Sequence, residues 1–199
     1  MALDLPTLLA IAATCAPTVA PQTLLAVARV ESGWDPLAIG VNGPGRRAVR
    51  PADRAAAVAQ ADALIAAGRS VDLGLAQINS RNLAWLGLSV EAAFDPCRNL
   101  AASARVLEDG YRRAAPPPGA EQAGLHTALS YYNTGSATRG LRNGYVAKVV
   151  AAGGRADHRA ATPDPDPRPA DDAPAWDVFA RARQGAPALV FSSSQGAQP

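Results

Sequence analysis

The chain is poor in the residues that build metal centres. Its 199 residues include two cysteines, Cys15 and Cys97, and two histidines, His126 and His158. A structural zinc site takes about four such ligands, closely grouped. Two distant cysteines and two distant histidines do not supply that grouping, so neither a metal site nor a cofactor is expected. The cysteines form either one disulfide or two buried thiols, and their spacing leaves both open.

Excess charge is also missing. The chain has 19 Lys and Arg against 17 Asp and Glu, a formal net charge of +2. That balance excludes a nucleic-acid module: the arginines are scattered apart from Arg46, Arg47 and Arg50, and no motif for reading bases or phosphates is present. No apolar run approaches the roughly 18 residues of a membrane-spanning helix. The N-terminus, "MALDLPTLLAIAATCAPTVAP", lacks a basic residue ahead of its apolar stretch and contains Asp4 and Pro6. It reads as a helix capped by Asp4, with Leu5, Leu8, Leu9 and Ala12 on one face; the alternative is a cleaved export signal. Strand-like alternation never lasts more than a few residues.

Helical signals are abundant. Hydrophobic residues make up 48% of the chain, ordinary for a globular domain. "PADRAAAVAQADALIAAG" opens with Pro51 and closes with Gly68. Ser80 caps the short helix "SRNLAWL", stopped by Gly87. Asp95-Pro96 opens "PCRNLAASARVLEDGYRRA", which "APPPG" breaks. Glu121–Tyr132 and "NGYVAKVVAAGG" are the last two helices, the second closed by glycines. "GVNGPGRRAVRPAD" reads as a loop. The fold class is mainly α, with residues 1–152 as one domain. Residues 153–199 are dense in Pro, Asp, Gly and Ser and read as a disordered tail. Its apolar knot, Trp176, Val178 and Phe179, is either a docking segment or chance aromatics in a linker.

Four places suggest chemistry. In "LLAVARVESGWDP", Leu24, Val27 and Ala28 form the apolar stripe of a helix. Glu31 is the next position on that stripe, in the last turn. The helix C-terminus is partly negative, and burial disfavours a charged carboxylate, so an acid here is expected to hold its proton. That suits a general acid, although such a Glu can also be structural. In "SVDLGLAQINSRN", Gly74 permits close backbone approach, and Gln77 and Asn79 offer amides that both donate and accept. They suit sugar hydroxyls and acetamido groups, or else cap the following helix. In "ALSYYNTGSATRG", Tyr132 and Asn133 precede a glycine turn and could pack on a sugar ring. Tyr145, in "RNGYVAKVV", could hydrogen-bond a carboxyl group or lie in the core.

Together and in this order, Glu31-Ser32, Gly74-Leu75-Ala76-Gln77, Tyr132-Asn133 and Tyr145 resemble the catalytic domain of soluble lytic transglycosylases, within the lysozyme superfamily. The resemblance covers residues 15 to 150. Ala76 stands where that family usually has Met. "ARVESGWDPLAIGVNG", "DLGLAQINSRNL" and "FDPC" look like the subgroup attached to type IV secretion systems.

The resemblance implies a goose-lysozyme-like fold and cleavage of the β-1,4 bond between N-acetylmuramic acid and N-acetylglucosamine in peptidoglycan, leaving a 1,6-anhydro end. It implies Glu31 as the catalytic residue, with Ser32, Gln77, Asn79, Tyr132, Asn133 and Tyr145 as substrate contacts. The implied partners are glycan strands and secretion-system subunits, in the periplasm. That oxidising setting favours a Cys15–Cys97 disulfide. The alternatives are a lysozyme-type hydrolase, with Asp35 or Asp72 as a second carboxylate, and a non-catalytic peptidoglycan-binding scaffold.

Overall fold

The computed structural model describes residues 2–44 and 47–160. Helices dominate, with one small antiparallel sheet. The chain divides into two compact units. One comprises Met1–Ala16 and Val27–Arg105; the other comprises Pro17–Ala26 and the described chain from Val106.

In the first unit, α1 (Leu5–Cys15) is capped by Asp4, whose Oδ1 accepts from Thr7 N at 2.9 Å, and it buries Leu8 and Ala12. α2 (Pro21–Ser32) begins in the second unit and ends in the first. Its stripe Leu24, Val27 and Ala28 is fully buried. Gly33 and Trp34 both take positive φ and end the helix, with Trp34 N donating to Ala28 O.

The segment read as a loop after Gly40 is instead a hairpin. β1 (Ile39–Val41) pairs with β2 (Arg47–Val49), and β1 also pairs with β3 (Val71–Leu73). β4 (Ile78–Asn79) completes the order β2-β1-β3-β4. Strands of two or three residues are too short for a periodic signal, which explains why the sequence pattern does not show them. Between β2 and β3 lies α3 (Arg54–Ala66). Its cap is Asp53, accepting from Ala56 N at 2.8 Å, so Pro51 lies outside the helix it was expected to open.

After β4 comes a 3-10 turn (Ser80–Asn82), capped by Asn79 rather than Ser80. α4 (Leu83–Leu86), stopped by Gly87, and α5 (Val90–Ala93) follow. α6 (Pro96–Ala114) begins where expected, with Asp95 Oδ1 accepting from Arg98 N, and continues into the second unit. Cys15 and Cys97 are joined as a disulfide, with Cα atoms 5.4 Å apart.

The second unit holds α7 (Glu121–Thr134), α8 (Arg139–Arg142) and α9 (Tyr145–Ala160), which pack on one another. α9 runs through Gly153 and Gly154, the glycines expected to close it. Each costs only about 1 kcal/mol in a helix, and the alanines around them favour continuation. Residues 161–199, with Trp176, Val178 and Phe179, lie outside the described residues.

Candidate active site

Glu31 occupies the last turn of α2, half-buried. It lines a cavity of about 250 Å³ together with Ser32, Ile39 of β1, Ala48 and Val49 of β2, Arg50 and Gln77. The β1–β2 hairpin therefore forms one wall, α2 another and the turn before β4 a third. Among the described lining residues, Glu31 is the carboxylate and Arg50 the cation.

Ser32 is only 6% exposed. Its hydroxyl donates to Leu75 O at 2.7 Å and accepts from Asp35 N at 3.1 Å. It thus clamps the end of α2 to the turn Gly74–Gln77. That turn is itself held from behind by Asn99 on α6, which is fully buried. Asn99 Oδ1 accepts from Ala76 N at 2.8 Å, and its Nδ2 donates to Leu73 O at 2.9 Å and Ala93 O at 2.6 Å. One amide thus serves three backbone groups at once. Ala76 is buried in this turn, and its backbone N is the group that Asn99 holds.

Gln77 adopts φ 51°. Its Nε2 donates to Ala38 O at 3.0 Å and Gly74 O at 2.9 Å. Any Cβ at Gly40 would sit 2.8 Å from Gln77 Oε1, so glycine there leaves room for the side chain.

Asn79 has a different place. Its Nδ2 donates to Asp72 Oδ1 and Ser70 Oγ, and its Oδ1 accepts from Arg81 N. It ties β4 to β3 and caps the 3-10 turn, and it is not among the residues lining the cavity. Asp72 is held by Asn79 on one oxygen and by Asn42 Nδ2, at 2.7 Å, on the other. Asp35, 6% exposed, accepts from Leu37 N and pairs with Arg50 Nη1 at 2.8 Å. Both carboxylates mooted as partners of Glu31 therefore serve internal donors.

In the second unit, Tyr132 and Asn133 lie in the last turn of α7, and Tyr145 starts α9 and is 7% exposed. Asn143 links them: its Nδ2 donates to Asn133 Oδ1 at 2.9 Å, and its Oδ1 accepts from Tyr145 N at 3.0 Å. Neither Asn99 nor Asn143 stands out in the sequence as functional. The available signal for Asn99 is a polar residue placed four positions before Ser103, which shares its burial. Among the described residues, no three His, Cys, Asp or Glu side chains group closely enough to hold a metal ion, and no helix is long and apolar enough to cross a membrane.

The order of these elements, with the acid ending α2 and the Gly-Leu-Ala-Gln turn beside it, matches a known domain. Residues 8–148 fit the Transglycosylase SLT domain. The chain belongs to that family. Its mainly helical fold with a small sheet is the lysozyme-like fold of SLT domains. The chain is 46% identical over 150 residues to the type IV secretion system protein virB1 of Brucella abortus (strain 9-941), covering 72% of this chain and 63% of the relative. It is 38% identical over 179 residues to the virB1 protein of Agrobacterium fabrum, covering 87% and 70%. The virB1 protein of Rhizobium radiobacter is 42% identical over 142 residues, covering 71% and 59%. The chain thus spans about three fifths of the Brucella and Rhizobium relatives. No solved structure matches it.

Proposed function

We propose that this SLT domain is a peptidoglycan lytic transglycosylase with Glu31 as its one catalytic acid–base, opening the wall locally for a type IV secretion apparatus. The observation that carries this reading is a cavity with Glu31 as its carboxylate, beside Asp35 and Asp72 already bound by internal donors. Retaining and inverting glycosidases use a second carboxylate as nucleophile or water activator. A transglycosylase needs none. Glu31 gives its proton to the glycosidic oxygen, and the bond to the anomeric carbon breaks. The carboxylate then takes the proton of the muramic acid 6-hydroxyl as that oxygen attacks the anomeric carbon. The ring closes, Glu31 regains its proton and no water is consumed.

Around this centre, Ser32 places the acid, and Gln77 offers the cavity its carbonyl oxygen, since its nitrogen serves the backbone. Tyr132, Asn133 and Tyr145 keep the glycan-contact role that the family pattern assigns. Asn79 is assigned the support of β4 instead. The virB1 names of its relatives support work in the periplasm beside secretion-system subunits.

Digestion of purified sacculi tests the reading. The wild type should release muropeptides with anhydro ends, each one water lighter than a hydrolysed product, and Glu31→Gln should lower turnover at least ~10²-fold. Products with reducing muramic acid ends would establish a hydrolase instead. Binding of sacculi with no release by the wild type would establish a scaffold.

A further inference from the structure

Arg50 is the feature of the cavity that the proton-transfer scheme leaves without a task. It follows β2 directly and lines the same cavity as Glu31 and Gln77. Its side chain is 66% exposed, while that of its partner Asp35 is 8% exposed. Arg50 Nη1 donates to Asp35 Oδ2 at 2.8 Å, and most of the arginine side chain stays exposed. The anchor, Asp35, is buried and hydrogen-bonded on its own side. Asp35 accepts from Leu37 N, and its own N–H donates to Ser32 Oγ, the hydroxyl that clamps α2 beside Glu31. The cation is therefore connected through Asp35 and Ser32 to the end of α2, beside the acid.

We propose that Arg50 is a carboxylate-binding residue of this cavity, selecting glycan strands that carry acidic peptide substituents over neutral strands. The inference rests on the glycan-cleaving reading and names the substrate feature that the site prefers. The chemistry follows from the donor set. A planar guanidinium, with N–H groups beyond the one that serves Asp35, matches a carboxylate in two-point geometry, which a hydroxyl-only strand cannot offer. At about 250 Å³ the cavity is smaller than the usual range for larger ligands, so it suits one sugar ring with a substituent at its edge. Arg50 provides the charge to which that substituent docks.

Binding, rather than turnover, is the cleaner readout. The parent is Glu31→Gln, which holds strands without cutting them. Arg50→Gln alone would leave the buried Asp35 without this cation, so Arg50→Gln is combined with Asp35→Asn, with Asp35→Asn alone as reference. The probes are end-labelled soluble strands with intact peptide stems, and the same strands with every carboxyl amidated.

Removing Arg50 should weaken binding of acidic strands about tenfold, the effect of one well-placed charge-assisted contact. Amidation should weaken binding to the parent by the same factor. The Arg50 variant should then lose nothing more on amidated strands. Arg50→Lys keeps the charge without the fork and should recover only part of the loss. Equal losses on acidic and amidated strands would overturn the proposal, as would no loss on either. So would a folded parent that binds neither probe. Arg50-dependent discrimination in a protein that releases no anhydro products would uphold this inference while removing the transglycosylase reading.

Discussion

At the scale of the residue, short polar side chains decide how the site is built. Ser32, Asp35, Asp72 and Asn79 each have a chemical role open to them, and each is engaged by named internal partners. Glu31 and Arg50 are the carboxyl and the guanidinium among the described residues that line the cavity. His126 on α7 shows how burial acts on a single group. Its Nε2 lies 2.9 Å from Gln122 Nε2, and burial pushes its pKa below the ordinary value near 6.5. The folded protein therefore takes up this proton less readily than the unfolded chain. The resulting stability is present above pH ~6.5 and is lost as pH falls below it through the folded pKa. In urea melts, His126→Gln should show a shallower decline in stability from pH 7 to 5 than the wild type. An unchanged slope would remove His126 as the source.

At the scale of the element, the Gly74–Gln77 turn is the junction on which the site depends. Gly74 has φ +74°, and a Cβ there would lie 2.5 Å from Asn99 Nδ2 and collide with Ala93 O. Gly74→Ala combines backbone strain with a forced shift of Asn99, so it should cost several kcal/mol, against the ~0.5–1 kcal/mol gained by such a change in an ordinary helix. A melting temperature within ~2 °C of the wild type would contradict this. Asn99→Ala tests the same junction from α6. It leaves Ala76 N, Leu73 O and Ala93 O without their partner, which should cost about 3 kcal/mol or more. It should also lower kcat in the fraction that remains folded, because Leu75 O no longer holds Ser32 in place. Combined with Ser32→Ala, the kcat losses should fall short of multiplying, since both act through one contact. Fully multiplicative losses would separate the two residues.

For the whole molecule, the Cys15–Cys97 disulfide ties α1 to the start of α6 across 82 residues of chain. Closing so long a loop restricts the unfolded chain by roughly 4 kcal/mol in the entropic account. Cys15→Ser with Cys97→Ser should therefore lower the melting temperature by about 10 °C for a domain of this size, with the fold retained. An unchanged melting temperature would show that the bond does not hold the working protein together. Both cysteines belong to the unit that carries Glu31 and its cavity, so reduction is expected to weaken that unit first.

The helices were legible in the sequence because their signals are local. Asp4 caps α1, Asp95-Pro96 opens α6, and the stripe Leu24, Val27, Ala28 carries Glu31 to the end of α2. The four motifs and their order sufficed for the family, since spacing along the chain is itself the signal. Strands of two or three residues have no period to read, so the hairpin that walls the cavity was not visible, and α9 outran its glycines. Which polar residues face the cavity was likewise a matter for tertiary structure. Asn79 and Gln77 stand two apart with the same amide, yet the first is consumed by Asp72 and Ser70 while the second lines the cavity beside Glu31. Asn99 and Arg50 gained their places through partners 23 and 15 positions away. A hydrogen bond joins groups that are near in space, and only the folded chain determines which groups those are.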